Sequence, residues 1–139
     1  MRDIPGHPAA RTGSENGFLT AGKRFGRSAR FAVRGIRRTW ATQPNFRIEV
    51  GVAVLALTLS LWLRTGTVAV LLATALVLAA ELINTAIEAL VDLVSPSRHR
   101  LAAAAKDAAA GAVLLCALIS VLIGFFALAP AFFERLGLL

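Results

Sequence analysis

The chain has 139 residues, of which 57% are hydrophobic, with a mean hydropathy of +0.70 and a formal net charge of +7. That length fits one domain, and the aliphatic surplus excludes an ordinary water-soluble globule in favour of a chain whose solvent is a bilayer. A single cysteine, Cys116, lies inside an apolar run, which excludes an internal disulfide and a cysteine-based zinc site.

Residues 1–17 (MRDIPGHPAARTGSENG) are rich in Pro, Gly and polar residues and carry too little apolar surface to offset ordering entropy, so they read as a disordered tail. No apolar core precedes Gly17, so the hydrophobic helices themselves are expected to direct insertion. A helix is predicted over 18–41. At 100° per residue Phe18, Ala21, Gly22, Phe25, Ala29, Ala32, Val33, Ile36 and Trp40 share one face, and Lys23, Arg24, Arg27, Arg30, Arg34, Arg37 and Arg38 share the other. Phe31 is the misfit. This segregation suits a surface helix in the headgroup plane, aromatics dipping inward and arginines meeting anionic lipid headgroups. No recognised nucleic-acid-binding module accompanies the basic charge, so no nucleic acid is expected as a partner.

Pro44 ends that helix, and Gln43-Pro44-Asn45 reads as the turn into the membrane. Three transmembrane helices follow, at about 46–63, 68–94 and 101–128, the last ending before Pro130. Ten of the fifteen Lys and Arg lie between Arg2 and Arg47. With Arg98, Arg100 and Lys106 in the second loop, they place the N-terminus and that loop in the cytoplasm. Ala108 to Ala112, small residues at the head of the third span, permit a tight bundle or an oligomer. The fold class is therefore an all-α membrane protein: three transmembrane helices plus an N-terminal amphipathic surface helix.

The chemistry is concentrated in Glu81-Leu-Ile-Asn84-Thr85-Ala-Ile-Glu88-Ala-Leu-Val-Asp92. With Glu81 at 0°, Asn84, Glu88 and Asp92 fall at about −60°, −20° and +20°, one stripe about 16 Å long. A charge at mid-membrane costs about 2.5–3.5 kcal/mol even on lenient scales, and the spans offer few cations to pair with three acids, so the stripe points to function. Carboxylates at a cytoplasmic boundary suit Mg²⁺, which takes oxygen ligands and bridges to nucleotide phosphates. Lys106 would place a point charge on those phosphates. Glu81, deepest and least hydrated, suits proton removal from a lipid hydroxyl, and Asn84 suits positioning that hydroxyl or a phosphate oxygen. Neither a Walker-type loop nor a protein-kinase signature is present, so a nucleotide must be held another way. A proton-relay or transporter reading also explains intramembrane acids, but explains the small chain and the Lys106-Asp107 pair less well.

ELINTAIEALVD, followed by H-x-L-x4-KD-AAAGAVLL from His99 to Leu115, resembles the prokaryotic diacylglycerol kinase family, which includes the undecaprenol kinases. The resemblance runs from Phe18 to Leu128 and takes in the spaced Arg24 to Arg37 pattern and the Asn45-Phe-Arg-Ile-Glu49 that opens the first span. It implies homotrimers with active sites shared between subunits in the bacterial cytoplasmic (inner) membrane, transferring the γ-phosphoryl of MgATP to a lipid alcohol. By position, the resemblance makes Glu81 the catalytic base with Asn84 beside it. Glu88 becomes a metal ligand, Asp92, Lys106 and Asp107 shape the nucleotide end with Glu88, and Arg24 sits near the substrates. Where the family commonly has a second metal-binding glutamate this chain has Gln43, a weaker ligand. Glu49 receives no role. Diacylglycerol is the expected acceptor, undecaprenol the alternative, and a non-catalytic membrane subunit of the same fold the third reading.

Overall fold

A computed structural model describes residues 13–97 and 99–138, with side chains described from Arg24 onward. The element order is α1 (Gly13–Thr42), α2 (Pro44–Leu63), α3 (Thr67–Val94) and α4 (Arg100–Arg135), with no strand among the described residues. Three of the helices are long and apolar enough to cross a membrane, and the protein is a multi-pass membrane protein whose regular structure among the described residues is all helix.

The chain divides into one unit up to Ile36 and a second from Arg37 to Leu139. In the first unit α1 begins at Gly13, ahead of the predicted start at Phe18, while residues 1–12 of the predicted tail lie outside the described residues. Ser14 and Glu15 are residue types that helix N-termini favour, so polarity there extends the helix instead of ending it. Phe31, the misfit of the helical pattern, lies under the Arg34 guanidinium, 4.7 Å from the ring centroid. A cation on the ring face accounts for an aromatic on the basic side.

In the second unit α2, α3 and α4 run alternately up and down. Gln43 is the single non-helical residue between α1 and α2, extended at φ −108° and ψ 106°, and Pro44 takes the first helical position, where its missing N–H costs nothing. Gln43 makes no capping bond, which leaves its side chain free to reach another helix. At the far end, Arg64 closes α2 in the left-handed region with its N–H bonded to Leu61 and Ser60 carbonyls, and Gly66 opens α3 at φ +67°. Leu63, Val70 and Leu128 form the buried cluster that ties the three helices together at that end, with Ala127, Ala131 and Phe132 packed around it.

The predicted stop before Pro130 is corrected: α4 runs through Pro130 to Arg135. Proline inside a helix costs about 3 kcal/mol. Here Ala131 and Phe132 pack on the buried cluster, and Arg135 lies 4.6 Å over the Trp62 ring while donating to its carbonyl at 3.3 Å. Those contacts reward the extra turn and outweigh the lost backbone bond. Otherwise α4 is barely covered, since Leu128 is its one buried residue among those described.

Candidate active site

The spacing of three, four and four residues on α3 turns Glu81, Asn84 and Glu88 toward the inside of the second unit. Glu81 and Asn84 are buried, at 3% and 7% exposure, a rare condition for such groups unless they are held or used. The Glu88 carboxylate is gripped from two sides. Asn84 Nδ2 donates to its Oε1 at 3.3 Å, and Gln43 Nε2 donates to its Oε2 at 3.0 Å. The second contact joins residues 45 apart in sequence and fastens the start of α2 to the middle of α3.

One helical turn beyond Glu88, Asp92 accepts a charge-assisted bond of 2.5 Å from Lys106 Nζ, which links α3 to α4. It is the one ion pair among the described residues, so the other acids of the stripe have no cation beside them there. The pair is not sealed: Asp92 is exposed, and a cleft of about 530 Å³ opens beside it, lined by Asp92, Ser95, His99, Arg100 and Lys106 among others. Asp107 is exposed on α4 next to Lys106 and makes no side-chain bond with the described residues. Arg24 is exposed on α1 in the first unit and is described there alone.

The residue that pattern reading left without a role is Glu49. Its Oε2 is buried without a hydrogen-bond partner, and it sits close enough to Glu81 to feel that carboxyl's charge. It also lines an apolar groove of about 630 Å³ with Val52, Ala56, Val77, Ser120 and Phe125. The available signal was its cost, an acid a turn and a half into a hydrophobic span, the same argument that singled out α3.

Three observations bear on whether these residues fit a hard divalent cation. Asn84 Oδ1 is buried and unpartnered beside Glu88, and the Gln43 and Asn84 amides present either nitrogen or oxygen as they turn about their last bond. Among the described residues no cluster of three or more His, Cys, Asp or Glu forms a dedicated cage. One carboxylate with two neutral amide oxygens fits Mg²⁺, which keeps several waters and takes further ligands from substrate phosphates.

Residues 30–128 match the model of the family described as prokaryotic diacylglycerol kinase. A protein of Synechocystis named diacylglycerol kinase is 50% identical over 107 residues, covering 74% of this chain and 61% of that one. An undecaprenol kinase of Bacillus subtilis is 39% identical over 110 residues (77% of this chain, 89% of the relative), and a diacylglycerol kinase of Escherichia coli is 33% identical over 99 (69% and 81%). The matched interval takes in every site residue named above except Arg24, and with it the fold and the buried polar face of α3. On that similarity, the chain is a member of the prokaryotic diacylglycerol kinase family.

Proposed function

We propose that this chain transfers the γ-phosphoryl group of MgATP to the hydroxyl of a membrane lipid alcohol, diacylglycerol being the acceptor and phosphatidic acid the product. The observation that carries the proposal is the buried pair Glu81 and Asn84 on the same stripe of α3 as Glu88 and Asp92, the last of which lines the open cleft with Lys106. The acceptor reaches such a site from the bilayer and the nucleotide from water, an arrangement that suits a reaction between a lipid and a soluble phosphate donor.

In this reading Glu81 takes the proton of the lipid hydroxyl as its oxygen bonds to the γ-phosphorus, and the bond to the bridging oxygen breaks so that ADP departs with that oxygen. Asn84 orients the hydroxyl through its amide. Lys106, paired with Asp92 and followed by Asp107, holds the phosphates at the mouth of the cleft. Mg²⁺, when bound, neutralises phosphate charge, and Glu88 with the amide oxygens of Asn84 and Gln43 would hold it. The rest of the rate comes from positioning.

The proposal extends to the assembly and its setting: a homotrimer with shared sites in the bacterial inner membrane, the N-terminus cytoplasmic and α1 lying among anionic headgroups. Undecaprenol is the rival acceptor, favoured by the Bacillus subtilis relative, 89% of whose length is matched. Parallel assays with diacylglycerol and undecaprenol and labelled ATP decide between them: the first lipid alone should be phosphorylated. Glu81→Gln should cut that product by at least about a hundredfold with assembly intact. Undiminished turnover in Glu81→Gln removes the residue from the mechanism, and ATP left untouched with every lipid alcohol assigns the chain to the non-catalytic reading.

A further inference from the structure

His99 stands immediately before α4 with an extended backbone, φ −133° and ψ 136°, and its Nδ1 accepts the backbone N–H of Leu101 at 3.2 Å. The first turn of a helix leaves N–H groups without intrahelical partners, and Ser, Thr, Asp or Asn oxygens usually satisfy one of them. An imidazole does so only while Nδ1 keeps its lone pair. Little else holds this end of the helix. Leu101, Ala103, Ala104 and Ala105 are exposed, and the buried residue of α4 lies far away at Leu128. Two turns on from His99, Lys106 makes its ion pair to Asp92, and all three residues line one cleft.

We propose that His99 is a positioning residue: as the N-cap it fixes where α4 begins, and so where Lys106 stands against Asp92 and an incoming phosphate. The charged groups that share the cleft are Asp92 on α3 and Arg100 and Lys106 on α4.

The kinetic readouts rest on the kinase reading; the exchange readout does not. At pH 8, His99→Ala should raise the KM for ATP about fivefold, the full worth of a typical lost cap if it falls on the placement of Lys106, with kcat changed less. His99→Asn, whose amide oxygen caps without titrating, should keep the wild-type KM. If His99→Asn is as impaired as His99→Ala, the proposal is overturned. Should His99→Ala fail to assemble, the comparison of His99→Asn with wild type still decides. Hydrogen exchange at the Leu101 amide in micelles, at pH 8, provides the independent arm: protected in wild type and His99→Asn, exposed in His99→Ala. Equal exchange in all three overturns the cap whatever the activity. The expected pattern in a protein that phosphorylates no lipid supports the cap and counts against the kinase reading alone.

Discussion

At the scale of single residues, Gln43 carries the most information. Its amide satisfies one oxygen of Glu88 at 3.0 Å, so the position is occupied by a neutral donor that fastens two helices. A carboxylate there would sit beside Glu88 with like charge. Gln43→Glu is therefore expected to lower the thermal midpoint when Mg²⁺ is chelated and to raise it above wild type when Mg²⁺ is added. A midpoint that ignores Mg²⁺ in both proteins would remove Gln43 and Glu88 from the proposed ligand set. The stripe of Glu81, Asn84 and Glu88 was legible in the sequence because helical spacing is local and acids in hydrocarbon are costly. The Gln43–Glu88 bond was not, since nothing in a local pattern sets the distance between residues 45 apart. Glu49 escaped for a related reason: it is a lone acid on its own helix, and it gains meaning only when folding sets it near Glu81.

At the scale of elements, the three spans were readable from hydrophobic length and from Pro44, and α2 and α3 start and stop within two residues of expectation. The end of α4 was not, because the contacts that carry it through Pro130 are made with Leu63, Val70 and Trp62 on other helices. The turn between α2 and α3 has a strict requirement. A Cβ on Gly66 would lie 3.0 Å from the Ala127 Cβ and 3.3 Å from the Ala127 carbonyl oxygen, and the backbone there has φ +67°. Gly66→Ala is expected to destabilise the protein by about 1–3 kcal/mol, read as a shifted midpoint of denaturant unfolding in micelles. An unchanged midpoint would mean that the α2–α3 turn and α4 are free to separate.

At the scale of the whole molecule, the apolar faces of α2, α3 and α4 are largely exposed: Leu55, Leu72, Leu93, Val121 and Phe126 each show more than half of their surface. Acyl chains or further copies of the chain cover such faces in a membrane. If sites are shared between copies, mixing inactive Glu81→Gln chains with inactive Lys106→Gln chains before assembly is expected to restore phospholipid synthesis. Mixtures that stay inactive at every ratio would confine each site to one chain. The Asp92–Lys106 pair then bears on how such an enzyme turns over. In the proposed kinase a triphosphate arriving at the cleft would meet an ammonium already engaged by a carboxylate, so loading would be an exchange of one anion for another, and the same carboxylate would be on hand to reclaim the ammonium as ADP departs.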